Sequence, residues 1–466
     1  MSPTDYKLIV LAVAAVGLLV LLITKLKVNA FISLVLASLI VGAGAMLVGV
    51  KDAKGVDLTL MTIVDDFGSG MGRTLGGIAA VIALGTMLGK LLAESGGAEV
   101  LAKRFADFFG PQRVVWCIMA LAIAIGLTTW FVVGLLLILP ILITLTQETK
   151  KPFLMLAIPL LSCLSVMHGL MPPHPGPVAA MAAFKLAGYE PNMGMLLLWG
   201  FLIGLPTAII AGPIFAKRAI KYVDAQPPVI PTKVGQEGLR LPGFGLTLFT
   251  LMLPVFLMLL DTAAKLTKNP DPHFAQFAQF VGHPTIALLI SVLFATWSLG
   301  IRCGYTPARI LKFTEECIAG IGVAMLVVGA GGGFATVLKT AGVATSMGHM
   351  AQSLNLSPLL YGWMVAAFIR VSTGSATVAI IAAAGLLAPV MHEYPGTNIE
   401  LMIIAIGCGS LILSHLNDGG FWIVKDCLGL TVGQTLRTWT VTETLIGVAG
   451  LIITMAVHFI WKLTQT

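Results

Sequence analysis

The chain has 466 residues, 57% of them hydrophobic and only 11% charged, with a mean hydropathy of +0.96 and a net charge of +7. Soluble chains carry about 25% charged residues, so a soluble domain is excluded, and no dyad alternation in segments of about ten residues marks a membrane β-barrel. The positive charge fits Lys and Arg gathered in the cytoplasmic loops of a polytopic helical membrane protein, with no nucleic-acid partner implied.

The first apolar runs, Leu8–Ile23 and Val28–Val50, match a hydrocarbon core of about 30 Å. The first lacks a basic n-region and an A-x-A-like site, so it reads as a retained helix and not a signal peptide. Basic Thr24–Lys27 is placed inside, "KDAKGVD" (51–57) outside, and a span near Met71–Leu92 returns to Lys103, Arg104 and Arg113. The stretch 112–147 ends at Lys150 and Lys151, on the side it left, so it is expected to be a re-entrant hairpin. Segment 152–186 crosses outward but is interrupted at "MHGLMPPHPGPVAA" (167–180). Its prolines, Pro172, Pro173 and Pro175 among them, each oppose a helix interior by about 3 kcal/mol. Span 194–215 returns to the basic "AKRAIK", which opens a linker rich in Pro, Gly and charge, 216–244, placed in the cytoplasm.

Beyond the linker, spans near 245–261 and 283–300 bring Arg302, Arg309 and Lys312 inside, and 315–338 exits. Hairpin 358–391 stays outside with "HEYPGTN" (392–398), 399–430 enters and 440–461 leaves, so both termini fall outside. Pro111 and Pro358 are 247 positions apart, as are His168 and His415. The common offset argues for an internal duplication, and five crossings per half make the second half inverted. The fold class expected is an all-α polytopic membrane protein with two inverted-topology repeats, 1–215 and 245–466. Each repeat has about five transmembrane helices, a re-entrant hairpin and an interrupted helix. Such repeats mark many secondary transporters, with the substrate site at the midplane.

Four irregular elements are therefore placed at membrane depth, where backbone that cannot face lipid lines a cavity or is buried in protein. They are "GLTTW" (126–130), the proline motif, "RVSTGSAT" (370–377) and "LSHLNDGGF" (413–421), and the offset pairs the first with the third and the second with the fourth. Thr128 and Thr129 lie at the first tip; Ser372, Thr373, Ser375 and Thr377 surround Gly374 at the second. Their hydroxyls stand at a helix N-terminus, which favours a carboxylate. A polar turn or small-residue packing is the plainer alternative. Asp418 sits within an apolar segment, where a carboxylate is costly. It carries a proton, pairs with a cation, or only caps the half-helix that starts at Gly419 and Gly420. His168, His415 and Asn417 add donors, and His174 presents a ring from within the proline run. Arg370 either grips a substrate carboxylate bidentately or is a structural, snorkelling arginine.

Asp65 and Asp66 read as caps of a span start, Glu315 and Glu316 as interfacial, and Glu443 has no role assigned. "GAGGG" (329–333) has no following Gly-Lys-Ser/Thr and reads as close helix packing, not a phosphate loop. The six cysteines are scattered without a CxxC pair, and no HExxH or nucleophile–base pair stands out. No catalytic site, metal site or cofactor is expected.

"HGLMPPHPGPVAA", "STGSATVAIIAAAGLLAP" and "SHLNDGGFWIVKD" followed by "TVGQTLRTWTVTET" closely resemble the gluconate permease family of gluconate:proton symporters, within the ion transporter superfamily. The resemblance runs from about Gly85 to Thr444 and implies bacterial inner-membrane uptake of sugar acids, or of related acids such as D-serine. By motif it makes site candidates of Thr128, Thr129, His168, His174, Ser372, Thr373, Ser375, Thr377, His415, Asn417 and Asp418. Family members often read like "FFEVG" at the first hairpin, where this chain has "WFVVG" with Val132 at the carboxylate position. The expectation is proton symport of a small hydroxycarboxylate, D-gluconate first, with Asp418 coupling the proton. Another small hydroxy or amino acid, sodium coupling and a channel stand as alternatives. The expected partners are the substrate carboxylate, the proton and the lipid bilayer, with a homodimer left open.

Overall fold

The computed structural model describes residues 2–51, 56–228, 240–267, 271–343, 345–346, 349–350, 356–416 and 418–464. Apart from one isolated bridge between Lys51 and Asp57, the described residues are helices and their connections. Eleven of these helices are long and apolar enough to cross a membrane. Part of the central linker, 229–239, lies outside the described residues, as does Asn417.

Helices α1 (Pro3–Thr24) and α2 (Ala30–Leu47) lead into the 35-residue α3 (Leu60–Glu94). The sequence places this span at Met71; the helix starts eleven residues earlier because the Thr59 hydroxyl accepts the Thr62 N–H and caps it. Asp65 and Asp66 consequently lie inside the helix and do not cap it. Amphipathic α4 (Gly97–Phe109) turns by 109° at Gly110 into the next helix. The next helices are α5 (Val114–Gly126), α6 (Phe131–Thr149), α7 (Phe153–Leu170), α8 (Pro175–Leu186) and α9 (Met193–Ala219, with a π turn at Ile210–Ile214). After the linker come α10 (Phe244–Leu266), α11 (Pro272–Gly282), α12 (Pro284–Cys303) and α13 (Pro307–Thr340). The chain ends with α14 (Pro358–Thr373), α15 (Ala376–Leu387), α16 (Ile399–Leu411), α17 (Gly419–Cys427) and α18 (Val432–Leu463). The succession of short hairpin, broken helix and long π-containing helix thus occurs in both halves.

The long helices α3 and α13 pack along one another. A Cβ at Gly333 would meet the Phe67 ring at 2.6 Å, and one at Gly329 would meet Leu75 at 2.9 Å. The "GAGGG" run is therefore a packing face, as its lack of a phosphate-loop ending implies. Glu316 lies well inside α13, which Thr306 caps, and meets Lys90 of α3 at 3.5 Å. Each hairpin leans on a broken helix: α5 and α6 on α7, and α14 and α15 on α16.

Both interruptions follow from local chemistry. Pro175 occupies the first turn of α8, where its missing N–H is no loss. Met171 and His174 are extended, and the Pro172–Pro173 bond is cis. In the second break Leu413 adopts φ +50°, a conformation that bulky side chains rarely take, and Asp418 caps α17. The surroundings make such backbone tolerable: 89% of the most apolar window of Phe153–Leu186 is buried in protein, against 28% for Phe244–Lys265.

The two broken helices touch backbone to backbone. A Cβ at Gly407 would lie 2.5 Å from the Gly169 carbonyl oxygen and 2.9 Å from Leu170. Gly407→Ala is expected to destabilise the protein by about 1–3 kcal/mol through overpacking. Gly433→Ala, which meets open space, is expected to stay within about 0.5 kcal/mol of wild type. Thermal unfolding in detergent checks both.

Candidate substrate site

Tip and break residues from both halves surround one cavity of about 340 Å³, a volume ordinary for a small-ligand site. The α5–α6 tip contributes Trp130, Phe131 and Val132, and the α14–α15 tip Gly374, Ser375 and Thr377. Ser165 and His168 come from α7; Asp418, Gly419 and Gly420 come from the second break. Arg370 of α14 and Trp439 and Glu443 of α18 complete the polar lining.

Arg370 and Asp418 form its electrostatic centre. The Arg370 guanidinium, 2% exposed, donates from Nη2 to Asp418 Oδ2 at 2.6 Å. The same Asp418 oxygen accepts from the Ser414 hydroxyl, and Oδ1 accepts the Gly420 N–H at 2.7 Å. Ser414 in turn accepts from Trp439 Nε1 at 2.7 Å, and its carbonyl accepts from Thr440. Of the three roles open to Asp418 in the sequence, pairing and capping are both observed. Arg370 Nε and Nη1 are buried without a partner among the described residues. Unsatisfied buried donors are costly, and this guanidinium keeps donor capacity beyond its pair with Asp418.

The histidines divide. His174 Nε2 donates to the Gly126 carbonyl at 2.7 Å, holding the first break to the end of α5. His415 Nε2 donates to the Val371 carbonyl at 3.2 Å, holding the second break to the end of α14. In bonding, then, the counterpart of His415 is His174, although the 247-residue offset pairs it with His168. His168 faces the cavity, its ring 5.3 Å from that of His174, with Nδ1 lacking a partner among the described residues.

Most tip hydroxyls are occupied locally. Thr128 and Thr129 donate to the Ile125 carbonyl at 3.4 and 2.9 Å, and Thr373 to that of Ile369 at 2.8 Å. The Ser375 hydroxyl caps α15 by accepting the Val378 N–H at 3.3 Å, and Gly374 supplies the φ of +74° that the turn needs. Thr128 and Thr129 line a separate cavity of about 240 Å³ with Lys90 and Glu316. Ser372 is half-buried beside the second tip, outside the lining of the larger site. A third cavity, about 440 Å³ and lined by Arg73, Lys185, Asp261 and Lys265, contains neither hairpin tip nor break.

Glu443 has no role assigned by the sequence, and Ser165, Ser414 and Trp439 are not singled out by it. Glu443 is 1% exposed and accepts from the Ser165 hydroxyl. Its signal was available, a carboxylate within the last apolar span. The three others carry no chemistry distinguishable from ordinary core residues until the helices are packed.

A profile of the GntP family permease matches residues 6–460. The chain belongs to this family. It is 40% identical to a gluconate permease of Pseudomonas aeruginosa over 456 residues, covering 97% of each chain. It is 34% identical to the D-serine transporter DsdX of Escherichia coli over 455 residues, covering 96% of this chain and 97% of the relative. The fold resembles that of the YdaH transporter of Alcanivorax borkumensis, with TM-score 0.65, 14% identity and coverage of 93% and 98%. The permease is therefore a multi-pass membrane protein of transporter fold, and Val132 of the first hairpin tip lines its cavity.

Asp418→Asn removes one partner of the buried pair and leaves Arg370 uncompensated, an expected loss of about 3–5 kcal/mol. Replacing both residues together, as Arg370→Gln with Asp418→Asn, is expected to cost less than the sum of the single changes. Chemical unfolding of the three variants measures that coupling.

Proposed function

We propose that this permease is a secondary transporter that takes up a small hydroxycarboxylate, D-gluconate first, together with protons across the bacterial inner membrane. The observation that carries the reading is Arg370: buried, paired on one side only, with Nε and Nη1 without partners among the described residues. A carboxylate meets those donors in a charge-assisted contact. The N-terminus of α15 and Thr377 border the same space, and His168 offers a donor to the hydroxyl-bearing part of the substrate. Asp418 keeps Arg370 in place between substrates and so links the occupancy of the site to its charge. The relatives named gluconate permease support this substrate. The D-serine transporter among the relatives favours a second reading, an amino acid held by the same carboxylate contact.

Residues 1–215 and 245–466 are proposed as inverted repeats, with the linker 216–244 in the cytoplasm and both termini in the periplasm. The recurrent order of elements and the placement of Lys and Arg support this arrangement.

Purified protein in liposomes is expected to show saturable D-gluconate uptake under an inward proton gradient, and Arg370→Lys to lower its apparent affinity at least about tenfold, since Lys lacks the planar fork. Uptake that follows D-serine alone selects the second reading, and no saturable uptake of either acid overturns both. A single cysteine added after Thr466 is expected to react with an impermeant reagent from outside intact cells, and one placed in the linker only after permeabilisation.

A further inference from the structure

A second carboxyl shares the cavity and has no part in the ion pair. Glu443 stands on α18 and Ser165 on α7, and the Ser165 hydroxyl donates to the Glu443 carboxyl across the interior. Both are at least 98% buried. Around them in the same lining are Arg370 from α14, Asp418 from the second break and His168 from α7, with His174 against His168.

On the reading that the site carries an acid with a proton, we infer that Glu443 is the group that takes up the proton, and that Ser165 positions it. Asp418 already accepts three hydrogen bonds, and protonating it would break the ion pair and strand Arg370. His174 has committed Nε2 to the Gly126 carbonyl. Glu443 keeps no such obligation: a proton can join its carboxylate on one side of the membrane and leave on the other without dismantling the Arg370–Asp418 pair.

Charge then provides the coupling. Arg370 and Asp418 cancel, so an ionised Glu443 and a substrate carboxylate leave two uncompensated negative charges in a cavity of about 340 Å³. With a proton on Glu443 only one remains. Like charges in a low-dielectric site repel strongly, so proton and substrate each raise the affinity for the other, reciprocally. The carrier crosses loaded with both or with neither.

The test uses the full chain in detergent and in liposomes, with D-gluconate as probe and D-serine run in parallel. Wild type is expected to take up one proton per acid bound, its affinity weakening about tenfold per unit rise in pH on the alkaline side. Glu443→Gln, which mimics the protonated carboxyl, is expected to bind without proton uptake and with no pH slope. In liposomes it should exchange substrate for substrate yet lose accumulation under a proton gradient. Accumulation or a full pH slope retained by Glu443→Gln overturns the assignment while leaving the transport reading intact. If that variant does not bind, Ser165→Ala decides: a displaced pH midpoint of binding supports the assignment, and an unmoved midpoint overturns it. Wild type that binds neither acid defeats the transport reading itself.

Discussion

The buried pair between Arg370 and Asp418 is the interaction on which the centre of this permease depends. One partner ends the first arm of a hairpin, and the other begins the second half of a broken helix. Neither charge is tolerable alone in a low-dielectric interior, so each holds the other's element in place. Through Ser414 and Trp439 the same network reaches α18, which carries Glu443. The pair is still incomplete, because the guanidinium retains two donors without partners among the described residues.

Irregular backbone inside a membrane requires protein around it. Here each break is fastened to a neighbouring hairpin by a histidine, His174 to Gly126 and His415 to Val371. These bonds satisfy carbonyls at helix ends, which otherwise lack intrahelical donors. The direct contact of α7 and α16 at Gly169 and Gly407 brings the two broken helices together, and with them the lining from both halves. These contacts hold the backbone around a cavity in whose lining Arg370 and His168 keep polar atoms without partners among the described residues.

Much of this was legible in the chain. Apolar runs, turn residues and prolines marked the spans, hairpins and breaks, because each is decided by short-range chemistry: the missing proline N–H, the cap at Asp418, the positive φ at Gly374. Element starts were less legible where a cap lay beyond the apolar core, as at Thr59 and Thr306. Of the residues singled out in the sequence, Arg370, His168, Ser375, Thr377 and Asp418 line one cavity. Thr128, Thr129 and Thr373 instead spend their hydroxyls on the preceding helical turn, a choice set by local geometry that residue type alone does not reveal.

The sequence by itself determined that this is a polytopic helical membrane protein, where its helices break, and the family to which its motifs point, since hydropathy and backbone chemistry are local properties. Only the tertiary structure decided which polar groups meet. It joined Arg370 to Asp418 across 48 positions and Ser165 to Glu443 across 278, and it set His174 on the Gly126 carbonyl and His415 on that of Val371. Contacts of that kind depend on how helices pack, and packing is set by the combined shape of many small and large side chains that no single motif contains.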